Sequence, residues 1–90
     1  MTDEEIVQMA LREQVFFGHI VTRYEEKLSH YIARLGIRNK EDRQDVLQEI
    51  FIKVYRNLNS FDTSFAFSSW VYRIAHNEAI SFYRKKNVRP

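Results

Sequence analysis

The feature that most constrains the fold of this chain is the scarcity of residues that break helices. Its ninety residues include two glycines and one proline. Glycine and proline are the residues that most often punctuate secondary structure, and no alternating apolar and polar run of useful length indicates a strand. Apolar residues recur instead at the three- and four-residue spacing of amphipathic helices. The sequence therefore predicts an all-α domain.

Capping residues place the first two helices. Thr2 and Glu5 form the pattern of a capping box, which predicts a short helix through about Glu13. A second helix is predicted over residues 15–35, because apolar residues repeat on one face throughout that stretch. Gly36 follows as its C-terminal stop, since glycine readily adopts the left-handed conformation that ends helices.

Two further helices are predicted in the second half of the chain. Asn39 caps the third, with Asp42 adding negative charge to its first turn, and the helix continues to about Leu58. A stretch of turn-forming residues follows, and Ser64 is predicted to cap the last helix, over residues 65–85. The predicted fold is a compact bundle of about four helices.

Composition agrees with one small domain and excludes several classes of function. Hydrophobic residues make up 44% of the chain and charged residues 29%, as in ordinary soluble domains. The absence of cysteine excludes disulfides and thiol metal sites and allows a reducing compartment. There is no long apolar run, so the sequence predicts neither a signal peptide nor insertion into a membrane.

Histidines and phosphate-binding motifs give no indication of catalysis. His19, His30 and His76 are far apart, and only Glu26 and His30 stand at a helical ligand spacing. A carboxylate metal site in a helical bundle needs several Glu-x-x-His motifs. The chain also has no glycine-rich phosphate loop, nucleophile elbow or kinase signature. We therefore expect no enzyme, no metal site and no cofactor.

The third predicted helix carries an apolar residue in the middle of its polar side. Its core side comprises Val46, Leu47, Ile50, Phe51, Val54 and Leu58. The opposite side comprises Asp45, Gln48, Glu49 and Arg56, with Ile52 among them. Single exposed apolar residues are common and need no explanation. An apolar centre with a charged rim is also the usual anatomy of a specific interface, which predicts a helical partner that carries basic residues.

The last predicted helix has a core side and a separate polar stripe. The core side comprises Phe67, Trp70, Val71, Ile74, Ala75 and Phe82, and the stripe comprises Ser69, Arg73, Asn77, Ile80 and Arg84. Arginine and asparagine can hydrogen-bond phosphates or base edges, and aromatic rings can stack on unpaired bases. The basic end at Arg84, Lys85 and Lys86 either approaches phosphates or is simply a solvated helix end.

A run of motifs spans these two helices. The chain reads E-D-R-Q-D-V-L-Q-E-I-F-I-K-V-Y from Glu41, then Phe61, then F-S-S-W-V-Y-R-I-A-H-N from Phe67. This order resembles the second conserved region of bacterial sigma factors of the extracytoplasmic-function group. Members of this group carry an acidic pair, a helix with the motif D-V-x-Q-E-x-F, and then the motif F-x-x-W-x-x-R-I-A-x-N. The resemblance extends from about Phe16 to Arg84.

The resemblance implies a bacterial, cytoplasmic transcription initiation factor domain with two partners. The third helix is expected to bind the clamp helices of the largest catalytic subunit of core RNA polymerase. The loop and the last helix are expected to recognise the −10 promoter element as melted, single-stranded non-template DNA. An anti-sigma factor is a further partner that the family allows. Residues 1–86 would form this domain, and residues 87–90 would begin a linker to an absent promoter-binding domain.

Carried over by motif and helical geometry, the resemblance yields two sets of candidate residues. Those for RNA polymerase are Asp45, Gln48, Glu49, Ile52 and Arg56, and those for DNA are Ser60, Phe61, Asp62, Thr63, Ser64, Phe65, Arg73, Asn77, Arg84, Lys85 and Lys86. Phe61 and Asn77 are the best positional matches, whereas the phase of Trp70 favours the core. The loop has Asp62-Thr63-Ser64 where relatives commonly have a basic residue and glycine, so its base specificity does not transfer.

Two alternatives remain open from the sequence. The chain could be a helical protein-interaction module without DNA function, such as a degenerate sigma-like domain held by a regulator. It could also be a helix-turn-helix reader of duplex DNA. The second alternative is disfavoured, because no short glycine-containing turn joins two short helices in the required arrangement.

Overall fold

The computed structural model describes residues 1–88 of the chain, with side chains as far as Lys86. Four α-helices follow one another, α1 (Asp3–Arg12), α2 (Phe17–Arg34), α3 (Lys40–Asn57) and α4 (Phe67–Val88). A 3-10 turn at Gln14–Phe16 precedes α2, and another at Leu58–Ser60 follows α3. Residues 1–88 contain no strand. The predicted all-α class and four-helix bundle are therefore confirmed.

Side-chain caps fix the starts of α1 and α3. The Glu5 N–H donates to Thr2 Oγ1 at 3.2 Å, and the Thr2 N–H donates to Glu5 Oε1 at 3.0 Å, which completes the predicted capping box. The hydrogen bond from the Thr2 backbone lowers the pKa of Glu5. At α3, Asn39 Oδ1 accepts from the Asp42 N–H at 3.1 Å, as predicted. Both caps satisfy backbone donors that the helix itself leaves unpaired.

Gly36 ends α2 for a conformational reason and a packing reason. Its φ of +109° lies in the region that favours glycine. The turn continues with the Ile37 N–H donating to the Ile32 carbonyl at 3.1 Å, a bond of the Schellman type. The hydroxyl of Tyr83 occupies the space that a Cβ at Gly36 would need, and it donates to the Leu35 carbonyl at 2.7 Å. The same glycine therefore allows α4 to pack against the end of α2.

The core lies between α2, α3 and α4. Its fully buried side chains include Ile20, Leu28, Ile32, Ile37, Ile50, Val54, Val71 and Ala75, and Val7 of α1 is buried beside them. Partly buried residues pack around it, among them Leu47, Phe51, Trp70, Ile74 and Phe82. The core sides predicted for the third and last helices are therefore confirmed.

The predicted cap of α4 is wrong. The backbone N–H and the hydroxyl of Ser64 both donate to Asp62 Oδ1, at 2.9 and 2.7 Å. The Phe65 N–H donates to the Asp62 carbonyl at 3.0 Å, which closes a turn in the loop. Ser64 thus donates within the loop turn, whereas a capping serine would accept from a helical N–H, and α4 begins later than predicted, at Phe67.

Other boundaries differ by a few residues. The predicted second helix begins at residue 15, where the structure has the 3-10 turn, and α4 continues past the predicted end at residue 85. Of the linker predicted over residues 87–90, the first two residues are helical, and residues 89–90 lie outside the described part of the chain. Helix ends fray and tighten by one or two residues, so local sequence rarely fixes them.

An ion pair lies where α3 packs against α4. Glu78 is 7% exposed, and its Oε1 lies beside the Nζ of the half-exposed Lys53. A carboxylate at such depth requires a nearby positive charge, since its loss of hydration is otherwise uncompensated. Lys53 and Glu78 therefore help to set how α3 and α4 lie relative to each other.

Replacing Lys53 with methionine tests this ion pair. Lys53→Met keeps the aliphatic stem but leaves the Glu78 carboxylate buried without its cation. We expect the free energy of unfolding to fall by about 1–3 kcal/mol in urea titrations followed by circular dichroism.

A double variant supplies the control. Adding Glu78→Leu to Lys53→Met removes the buried charge, and most of the lost stability should return. A Lys53→Met protein within about 0.5 kcal/mol of the original chain would show that the pair is an ordinary surface contact.

Candidate nucleic-acid and protein interface

The outer side of α3 gathers the residues predicted to bind RNA polymerase. Asp45, Gln48, Glu49 and Arg56 are all exposed there, because the buried side of the helix lies against α2 and α4. Ile52 is partly buried instead of fully exposed. Folding therefore already covers part of this side chain, and less apolar surface remains for a partner than the sequence suggests.

A groove of about 520 Å³ runs between α3 and α4. It is lined by Asp42, Asp45, Val46, Glu49, Glu78, Ser81, Phe82, Lys85 and Lys86. Asp45 and Glu49 belong to the predicted polymerase set, whereas Lys85 and Lys86 belong to the predicted DNA set. The structure brings members of the two sets together in one groove. A phosphate that approaches these lysines therefore also meets carboxylates, which weakens its attraction.

The predicted polar stripe of α4 is exposed along its whole length. Ser69, Arg73, Asn77, Ile80 and Arg84 all face solvent. Tyr72 and Tyr83, which neighbour this stripe in sequence, are partly buried and pack against the core. Apart from Ile80, the polar stripe therefore consists of hydrogen-bonding and basic groups, which can contact phosphates or base edges.

The loop between α3 and α4 is built around Asp62. Its carboxylate accepts both hydrogen bonds from Ser64, and the one from the Ser64 backbone is the main reason that the pKa of Asp62 is lowered. Asp62 is therefore ionised at neutral pH and supports the loop only in that form. This contribution to stability is present above the pKa of an unfolded aspartate and is lost as the pH falls through the lowered value.

Phe61 is part of an aromatic cluster. Its ring centroid lies 5.4 Å from that of Phe67 and 4.9 Å from that of Trp70. Phe67 in turn lies edge-on to Tyr24, at 5.8 Å. Both Phe61 and Trp70 are partly buried against the core, so both rings contribute to packing. The loop ring that faces solvent is Phe65, which is 69% exposed.

A small cavity of about 60 Å³ lies between the loop and α1. It is lined by Glu4, Val7, Gln8, Phe61, Thr63, Phe65 and Phe67. From the sequence we predicted loop residues at this position but no residue of α1. The capping box could have indicated α1, because it fixes where the helix starts and therefore which residues share a side. In the structure Ile6, Val7 and Ala10 are buried, and Glu4 and Gln8 are exposed.

Two absences were found in the described part of the chain. Residues 1–88 contain no group of three or more histidine, aspartate and glutamate side chains placed to hold a metal ion. None of the helices assigned there combines the length and apolar character needed to cross a membrane.

The sequence is similar to those of bacterial sigma factors. Residues 20–89 match the profile of sigma-70 region 2. The chain is 37% identical to the ECF RNA polymerase sigma-E factor of Haemophilus influenzae, over all of this chain and 47% of that protein. It is 38% identical to the ECF RNA polymerase sigma factor SigW of Bacillus subtilis, over 96% of this chain and 46% of that protein. The chain thus spans about half the length of these relatives.

Solved structures show the same fold. An engineered region 2 of sigmaE, determined by NMR in complex with GTAAAA, has a TM-score of 0.87 and 38% identity, over 97% of this chain and 90% of that one. CnrH, in complex with the cytosolic domain of CnrY, has a TM-score of 0.81 and 30% identity, over 91% of this chain and 53% of that one. The chain belongs to the sigma-70 region 2 family, and the resemblance to extracytoplasmic-function sigma factors is confirmed.

Proposed function

We propose that this domain binds core RNA polymerase through the outer side of α3 and single-stranded −10 promoter DNA through α4 and its loop. The observation that carries the proposal is that α3 and α4 each expose a polar surface beside one shared core, and that these surfaces adjoin at the groove between the two helices. The α3 surface has the predicted acidic and amide groups, and the α4 surface has the predicted arginines and Asn77. The sigmaE region 2 solved with GTAAAA supports the DNA part of this proposal.

The chemistry of the α3 surface fits the polymerase partner that the family resemblance implies. Asp45 and Glu49 present carboxylates, Gln48 presents an amide, and Ile52 contributes an apolar patch among them. Such a surface fits a helical partner with arginine or lysine side chains, because charge-assisted hydrogen bonds to carboxylates are strong and directional. The clamp helices of the largest polymerase subunit are the partner that we assign to it.

Further assignments belong to the same proposal. The domain acts in the bacterial cytoplasm, where polymerase and promoter DNA are found, and it has no catalytic activity of its own. An anti-sigma factor is its regulator, and the structure of CnrH in complex with the cytosolic domain of CnrY supports a protein partner for this fold. The alternative is a protein-interaction module without DNA function. Such a module should not bind single-stranded DNA with an affinity that falls steeply as the salt concentration rises.

Variants of α3 test the polymerase surface. Gln48→Ala and Glu49→Ala should each weaken binding to a clamp-helix fragment by about 1–3 kcal/mol in calorimetry, if these residues are interface hot spots. Ile52→Glu should weaken binding more, because it puts an unpaired charge into the apolar centre.

Glu25→Ala, which removes an exposed carboxylate from α2, is the matched control and should bind normally. Unchanged unfolding temperatures for Gln48→Ala and Glu49→Ala would confirm that the fold is intact. Wild-type affinity in both variants would remove this surface from the proposal.

Variants of α4 separate base reading from backbone contact. The probe is a strand selected from a randomised single-stranded pool, compared with its scrambled version. Asn77→Ala should cost about 1–3 kcal/mol for the selected strand and little for the scrambled one, since its amide can bond a base edge. Arg84→Ala should weaken both strands about equally and flatten the dependence of affinity on salt, since it removes a phosphate contact.

Fluorescence anisotropy at several salt concentrations measures both effects. If Asn77→Ala lowers the affinity for both strands equally, this residue contacts the sugar-phosphate backbone of the DNA and not a base. Failure of the pool to yield any strand, with no salt-dependent binding, would favour the interaction module instead.

A further inference from the structure

We propose that the small cavity between α1 and the loop receives the edge of one unpaired base, and that Gln8 and Glu4 of α1 read this edge while the base stacks on Phe65. This inference rests on the proposed binding of single-stranded DNA. It goes beyond it by adding residues from the start of the chain, which lie outside the loop and α4. It also assigns the class of base, one that carries an exocyclic amino group.

The shape of the cavity indicates how a base would enter. Its volume of about 60 Å³ is small beside the roughly 300–1,000 Å³ of sites that enclose whole ligands. It can therefore admit the edge of one ring but not a complete nucleotide. Its walls are apolar where Val7, Phe61 and Phe67 line it, and polar where Glu4, Gln8 and Thr63 line it. Such a lining suits a flat ring with polar atoms along one edge.

Phe65 supplies the surface on which such a ring can stack. It lines the cavity and is 69% exposed, the most exposed aromatic ring among the described residues. The turn closed by the Phe65 N–H and the Asp62 carbonyl holds its backbone in place. Stacking of an unpaired base on an aromatic side chain strengthens binding and hardly depends on which base it is. Phe65 thus favours base entry without selecting the base.

Glu4 and Gln8 select which base is bound. They stand one helical turn apart on α1, so their side chains lie on the same side of the helix, and both are exposed. An ionised glutamate only accepts hydrogen bonds, whereas glutamine both donates and accepts. Adenine, cytosine and guanine each carry an exocyclic amino group with two N–H donors, one for the Glu4 carboxylate and one for the Gln8 amide oxygen, whereas thymine offers a single ring N–H. The pair therefore favours an amino-bearing base over thymine.

Side-chain bonds hold α1 in place. Asp3 accepts from the Tyr24 hydroxyl at 2.5 Å and from Arg23 at 3.1 Å. Burial, followed by the hydrogen bond to Asp3, raises the pKa of Tyr24, so this phenol remains a donor through the physiological range. Tyr24 also packs edge-on against Phe67, a wall of the cavity. The anchor of α1 and the pocket are thus parts of one packed unit, and the reading groups are preorganised.

Charge decides which part of the nucleotide enters. Glu4 lines the cavity, and the ionised Asp62 lies in the adjoining loop. Two carboxylates repel a phosphate but accept from an amino group. The base edge therefore enters, and the sugar-phosphate chain is left to Arg73 and Arg84 on the exposed stripe of α4.

The test is a thymine scan of a strand selected from a randomised single-stranded pool. Each position in turn is replaced by thymine, and affinity is measured by fluorescence anisotropy. At one position thymine should weaken binding of the original chain by about tenfold. In Gln8→Ala and Glu4→Gln, this discrimination should shrink to about twofold or less, while affinity for the thymine strand changes little. Phe65→Ser should weaken both strands, since it removes stacking.

Gln14→Ala, which removes an exposed glutamine outside the cavity, is the matched control and should keep full discrimination. Gln8→Glu keeps the size of the side chain but loses its donor, so it should change the order of base preference at the same position. Two results show that the DNA function itself holds: the original chain binds its strand, and Asn77→Ala weakens that binding. If Gln8→Ala and Glu4→Gln then still discriminate fully between the selected strand and its thymine version, the role of Gln8 and Glu4 is overturned. If no strand is selected at all, it is the proposed DNA function that fails.

Discussion

Packing of α3 against α4 is the constraint on which the rest of the structure depends. Ile50 and Val54 of α3 and Val71 and Ala75 of α4 are fully buried in the common core. A helix that buries one side must present its other side to solvent or to a partner. The acidic face of α3 and the polar stripe of α4 therefore point away from the core that they share. The Lys53–Glu78 ion pair crosses this contact and adds a directional element to an otherwise apolar interface.

Local chemistry made a large part of the fold predictable. The capping box at Thr2, the cap at Asn39 and the stop at Gly36 each depend on residues within a few positions, and all three are confirmed. The cap predicted at Ser64 failed for an equally local reason, because Ser64 donates its backbone N–H and its hydroxyl to Asp62 in the loop turn, and α4 begins only at Phe67. Serine favours caps and turns alike, so its propensity does not decide which of the two it joins.

What sequence could not predict is which distant residues meet. Asp45 and Lys85 are far apart in the chain, yet they line one groove, so a lysine predicted to contact phosphate lies near a carboxylate predicted to contact polymerase. Gln8 carries no motif of its own, and only tertiary packing brings it to the loop. Helical phase placed Ile52 on the outer side of α3, but its partial burial depends on neighbouring side chains that phase alone does not describe.

NMR mapping can show whether two different surfaces of this one bundle bind two different partners. The amide spectrum of the 90-residue chain would be recorded with a pool-selected single strand, and separately with a clamp-helix fragment. We expect the strand to shift amides of residues 60–65, of the α4 stripe and of α1 near Gln8, and the fragment to shift amides around Gln48 and Ile52. Shifts from both partners on the same residues, or no shifts from the strand, would contradict the assignment of one partner to each surface.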